Sequence, residues 1–235
     1  LDSYGGKLRF SSGEIKFSSL DLLRKEFSQT IKDDIILPFN YMKRHDISSQ
    51  RIKSIIDDFS SLRVCVIGDL ILDEYITCEP LGMSQEDPTI VVTPVDTTRF
   101  IGGAGIVAAH AVGLGAKVEF ITVVGNDSSH TFAENKLSEF GVTTSLIVDD
   151  SRPTTVKQRF RSKGKTLLRV SHLHQSTISP SLQSIFLKNI KSIINKVDLL
   201  VFSDFNYGCL PQDLVDQIVT LAKEKNVMLA ADSQS

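Results

Sequence analysis

Four acids stand at or just beyond the ends of apolar runs in this 235-residue chain. Asp69 and Asp73 flank the end of Val64-Cys65-Val66-Ile67, Asp204 follows Leu199-Leu200-Val201-Phe202, and Asp232 closes the run from Val227 to Ala231. A carboxylate accepts hydrogen bonds from two hydroxyls at once, and open α/β sheets bind ligands beyond the carboxyl ends of their strands. Acids in these positions therefore suit a polyol. The competing roles are a solvated turn acid for Asp73 and a cap on local backbone N–H groups for Asp69. Asn206 stands close to Asp204. Lys157 and Arg159 lie two apart on an alternating segment, so they share a strand face and suit an anionic group such as a phosphate; a solvated or partner-facing strand is the alternative. Arg169 is a third cation on the segment expected opposite. His172 and His174 have i, i+2 spacing but no evident third ligand, and no protein-borne metal site is expected.

These side chains need a scaffold, and the sequence describes one. Residues 100–116, Phe-Ile-Gly-Gly-Ala-Gly-Ile-Val-Ala-Ala-His-Ala-Val-Gly-Leu-Gly-Ala, place Gly102 and Gly103 at a turn that opens an Ala-rich helix. Glycine there permits a positive φ and close approach of a ligand, and the helix start presents N–H groups to it. From Val64 onward apolar runs alternate with amphipathic ones. Strands are expected at 64–68, 117–124, 198–202 and 227–231, and helices at 103–113, 128–140, 180–195 and 211–225. Pro180 and Pro211 suit helix starts. The alternation implies a mostly parallel sheet covered on both faces. Residues 73–99 and 153–172 break the rhythm with short β-like runs, of which 155–160 and 166–171 form a hairpin about Ser162-Lys163-Gly164-Lys165. They imply a small antiparallel sheet projecting from the α/β body.

In this order the segments resemble the ribokinase-like (PfkB) carbohydrate kinases, and within them the kinase domain of bifunctional ADP-heptose synthases. The resemblance rests on Val64–Asp73, Phe100–Ala116, Ser84-Gln85-Glu86-Asp87-Pro88, Arg152–Arg159 with Leu167–Val170, Ser203–Gly208 and Ala231-Asp232. It covers residues 63–235. It implies a ribokinase-like fold with a β lid over the sugar, and a homodimer contact through that lid. It also implies ATP and Mg²⁺ as co-substrate and metal, and transfer to a sugar or sugar phosphate, of which C1 of a heptose 7-phosphate is the specific expectation. Asp73, Gly102, Gly103, Lys157, Arg159, Asp204 and Asn206 then fall on the substrate side, and Asp232 near nucleotide phosphates and Mg²⁺. The family's Gly-Ala-Gly-Asp motif, whose Asp is the base, has no counterpart before Ser235, so no catalytic residue is assigned. Where the family carries a sugar-binding Asn after the glycines, this chain has Ile106 and Val107. Either His110 substitutes or the substrate differs. A second expectation is a catalytically inactive module that binds a sugar phosphate.

Lys and Arg total 26 against 28 Asp and Glu, for a net charge of −2, so no global basic field favours nucleic acid. Three scattered cysteines suit a reducing cytoplasm better than a disulfide framework. No apolar run reaches the length of a membrane span. Residues 1–62 are polar and Ser- and Lys-rich. They suggest a helix after Ser18-Ser19 with Leu20, Leu22, Leu23 and Phe27 on it, a connector at 34–48 and a helix at 49–59. Gly5–Phe10 and Phe17–Leu23 resemble the closing part of a cytidylyltransferase-like domain, which makes 1–62 the tail of a nucleotidyltransferase domain and a linker. A chain that opens on Leu and stops just after an apparent strand is expected to be a piece of a longer polypeptide.

Overall fold

A computed structural model describes residues 38–234. The helix expected after Ser18-Ser19 and the Gly5–Phe10 segment lie outside the described residues. Two short helices lead in, α1 (Phe39–Arg44) and α2 (Ser49–Asp58); α1 falls inside the stretch expected to be a plain connector. Ser48 caps α2 by accepting the Arg51 N–H at 3.1 Å.

The α/β body follows. Strands β1 (Arg63–Gly68), β4 (Lys117–Val124), β5 (Thr143–Val148), β8 (Leu199–Asp204) and β9 (Met228–Ser233) form one all-parallel sheet in the order β5-β4-β1-β8-β9. Helices α3 (Gly103–Gly113) and α4 (Ser128–Glu139) cover one face; α5 (Pro180–Ile193) and α6 (Gln212–Glu224) cover the other. Alternation along β1 sends Val64 and Val66 to the α3 side with Ala104, Ala108 and Leu137, and Cys65 and Ile67 to the α5 side with Phe186, Ile190 and Ile218. Each large apolar side chain so buried contributes roughly 1.5–3 kcal/mol. Helix α3 buries small residues, Ala104, Gly105 and Ala108, which lets its axis sit close to the sheet. Asp127 caps α4 and Ser179 caps α5, with Pro180 in the first turn of α5. Pro211 is the residue before α6 rather than its first residue.

The second sheet has the order β3-β2-β6-β7, from β2 (Leu70–Met83), β3 (Ile90–Gly102), β6 (Val156–Ser162) and β7 (Lys165–His172). It is separate from the body sheet, and β6 and β7 form the expected hairpin. The β2–β3 arm is far longer than the short runs suggested by sequence, with bulges near Thr77/Cys78 and Pro80/Gly82 that interrupt its alternation. The central pairing, β2 with β6, is parallel, while the flanking two are antiparallel. The chain reaches β6 from the body after β5, and so enters the lid in the same direction as β2. Strand β5 also escaped the sequence reading, because Thr143-Thr144-Ser145 opens it with polar residues on an edge that leaves it half exposed. Among the described residues no helix is long and apolar enough to cross a membrane.

Candidate functional site

The site begins where β2 leaves the body. Asp73 is an interior residue of β2, in the lid sheet, and not a residue at the end of the first body strand; β1 ends at Gly68 and the chain changes sheets at Asp69. Register places Asp73 opposite Phe100 on β3 and opposite Lys157 on β6. Ile71 pairs with Gly102, so the end of β3 and the start of α3 lie beside the Asp73 carboxylate. A Cβ at Gly102 would collide with Asp73 Oδ2, and one at Gly103, where φ is +55°, would collide with the Asp69 carbonyl. Both positions need glycine for the acid and the helix start to approach one another. The Ala104 N–H already donates to the Asp69 carbonyl at 2.9 Å.

Arg159 pairs with the Asp73 carboxylate, each side chain 24% exposed. This hydrogen bond, assisted by the opposite charge, raises the Arg159 pKa above its usual value. Arg159 and Arg161 both lie against the Tyr75 ring, at 5.1 and 5.6 Å from its centroid, and Phe100 packs edge-on to Tyr75. Asp73, Tyr75, Thr98, Phe100 and Arg161 line an open cleft of ≈ 570 Å³. Arg161, Tyr75 and Phe100 were missed as candidates, although the Lys157, Arg159, Arg161 alternation was visible. Arg169 pairs in register with Arg159.

Asp69 has a different role. It is 4% exposed and accepts the N–H groups of Phe205 at 2.8 Å, Tyr207 at 3.3 Å and Cys209 at 3.4 Å. Burial raises its pKa, and the three backbone donors only partly offset that rise. Asp69 therefore holds the loop after β8, as the backbone-capping alternative anticipated. Arg152 holds the same loop from the other side. Its guanidinium bonds the Tyr207 carbonyl at 3.2 Å, the Ser176 carbonyl at 2.9 Å and Asp149 at 2.7 Å, inside a buried ion pair. Burial alone would raise Asp149, but the bonds from Ser151 and Arg152 outweigh it and lower its pKa.

The remaining candidates lie elsewhere. The structure does not bring Asp204 into the cleft lined by Asp73. Its carboxylate accepts the Asn206 N–H at 2.9 Å and meets the Ser233 hydroxyl at 3.0 Å. It lines a second cavity, ≈ 340 Å³, on the α6 side with Phe202, Leu210, Gln212 and Ala231. Asn206 is exposed at φ +61°. Asp232 is exposed near the end of β9, in register with Ser203. His110 stands exposed in the last turn of α3, about two turns from Gly103, and does not take the place of an amide at the helix start.

Comparison with known proteins decides the family. The profile of the pfkB family carbohydrate kinases matches residues 61–235. The chain belongs to that family. Bifunctional protein HldE of Desulfatibacillum aliphaticivorans is 34% identical over 175 residues, covering 74% of this chain and 36% of the relative. HldE of Helicobacter hepaticus is 33% identical over 175 residues, with 73% and 36% covered. The chain thus spans about a third of the length of these curated relatives. Among solved structures, phosphofructokinase-2 from Escherichia coli, in complex with fructose-6-phosphate, superposes with a TM-score of 0.58 at 13% identity, covering 74% of this chain and 55% of that one. That likeness establishes the shared fold of this pfkB member.

Proposed function

We propose that this chain supplies the sugar side of an ATP- and Mg²⁺-dependent kinase that phosphorylates a sugar phosphate, with heptose 7-phosphate, phosphorylated at C1, as the substrate. The observation that carries it is the junction of lid and body, where Asp73, the Gly102–Gly103 helix start and the lid cations lie together. In this reading Asp73 accepts sugar hydroxyls, the glycines admit the sugar close to the backbone, and Lys157 and Arg159 hold the phosphate. Asp204 lines a separate cavity on the α6 side and Asn206 is exposed beside it, so neither is assigned to the substrate in this reading. The family membership supports the reaction class, and the HldE relatives support the heptose.

Mg²⁺ needs few protein carboxylates, because phosphates and waters fill most of its shell. Asp232, exposed at the C-terminal end of β9, fits that role, and beside it in register the Ser203 hydroxyl is buried without a hydrogen-bond partner among the described residues. When bound, the ion neutralises phosphate charge. In the whole protein, residues 1–62 close a nucleotidyltransferase domain, and the lid forms a homodimer contact in the cytoplasm.

A second reading, a sugar-phosphate-binding module without transfer, is favoured by one feature. Asp73 is engaged by Arg159 and Asp69 by three N–H groups, so neither is available as a base. The two readings part in one experiment. Calorimetry with heptose 7-phosphate should show binding that Asp73→Asn weakens by about 10–150-fold. Coupled-assay turnover in the relative-length polypeptide then separates kinase from binding module. Absence of heptose 7-phosphate binding would remove the substrate assignment from both.

A further inference from the structure

Two cations that share a face of lid strand β6, Lys157 and Arg159, are seated differently. Arg159 is committed to a carboxylate, Asp73. Lys157 is not. Its ammonium lies 5.0 Å from the centroid of Tyr207 and 5.6 Å from that of Phe205, and among the described residues it has no ion-pair partner. The two rings belong to the body, on the loop after β8, whereas Lys157 belongs to lid strand β6. That loop is pinned through its backbone by the Asp69 carboxylate at Phe205 and Tyr207, and by Arg152 at the Tyr207 carbonyl.

The distinction has a chemical consequence. A carboxylate partner neutralises a lysine and must be displaced before an anion can bind. An aromatic face attracts the ammonium weakly, leaves its net charge intact and leaves N–H donors for another acceptor. Two rings on a rigid loop thus fix where the charge sits without consuming it. Resting on the reading of the lid–body junction, where Lys157 pairs in register with Asp73, as a sugar-phosphate site, we infer that Phe205 and Tyr207 are positioning residues that hold Lys157, a cation with no carboxylate partner among the described residues, for the substrate's phosphate.

Calorimetric titration of the protein with inorganic phosphate and with heptose 7-phosphate tests this. Lys157→Met should weaken both ligands by about tenfold or more, as loss of a charge-assisted contact requires. Tyr207→Leu should weaken both by about fivefold, and Tyr207→Phe, which keeps the ring, by less than about twofold. Phe205→Leu should follow Tyr207→Leu. A thermal melt of each variant identifies any loss of fold, and rescue by phenylalanine separates a ring effect from a displaced loop. If Lys157→Met weakens binding while both leucine variants bind as wild type, the positioning role is wrong and the site stands. If Tyr207→Leu and Tyr207→Phe weaken binding equally, the hydroxyl and not the ring acts, which also overturns it. If Lys157→Met changes nothing, or the wild type binds neither ligand, the phosphate site itself is wrong and the inference falls with it.

Discussion

Asp69 and Asp73 are four residues apart and do opposite work. Asp69 is inward-facing and saturated with backbone donors, so its replacement should register as stability. Asp69→Asn sets an amide NH₂ against N–H donors, with an expected loss of about 1–3 kcal/mol, or roughly 2–12 °C in Tm for a domain of this size. Its pH signature has a definite sign. The folded pKa lies above the unfolded value, so between the two the native state holds more protons, and stability falls as pH rises through that window. Urea midpoints should show the gap between wild type and Asp69→Asn narrowing as pH rises from about 4. A gap that widens would mean the carboxylate is favoured, not disfavoured, by its surroundings. Gly102→Ala makes the complementary test at Asp73. The new methyl group would drive the carboxylate from its place, so sugar-phosphate affinity should fall about tenfold or more, measured by calorimetry, with a Tm change small beside that of Asp69→Asn.

At the scale of elements, Arg152 ties together the segment that leads into lid strand β6, the segment that follows β7 and the loop after β8. It is 9% exposed and touches Asp149, the carbonyl before the segment leading to α5, and the loop after β8. Arg152→Met would leave Asp149 buried without its partner, at an expected cost of about 3–5 kcal/mol, read as a shift in the urea midpoint. A loss below about 1 kcal/mol would show that water replaces the guanidinium. The far end of the lid is the reverse case. Leu81, Met83, Ile90, Val91 and Val95 are 40–66% exposed on the β2–β3 arm. If the lid forms the proposed homodimer contact, Val91→Lys should convert dimer to monomer in light scattering without lowering Tm below that of a monomeric chain. These elements were unevenly legible in the sequence. The body strands and helices announced themselves, because apolar runs such as Val64–Ile67 and Leu199–Phe202 have one outcome in a sheet covered on both faces. Strand β5 and the full β2–β3 arm did not, since edge and lid strands carry polar or irregular patterns. The Gly102–Gly103 turn and the alternating lid cations were visible as spacing. That Asp204 opens toward α6, or that Tyr207 meets Lys157, depends on register and loop geometry that no local pattern encodes.

For the molecule as a whole, the question is which half-reaction these residues can support. Deprotonating a sugar hydroxyl needs a carboxylate or imidazole with a free acceptor atom beside the substrate. Among the described residues Asp73 is the only acid lining its cleft, and its charge is shared with Arg159. Asp69, whose raised pKa would suit a base, has its oxygens occupied by Phe205, Tyr207 and Cys209. Asp204 is bonded to Asn206 and Ser233 in another cavity. Binding groups are therefore present, while none of these three acids is placed to take the proton. The expected outcome is binding without turnover. Residues 1–235 should bind a sugar phosphate in calorimetry, yet consume ATP in a coupled assay at the rate of a protein-free blank. Sugar-dependent ATP consumption by residues 1–235 above that blank, abolished by Asp73→Asn, would make Asp73 the base and require Arg159 to leave it on substrate binding.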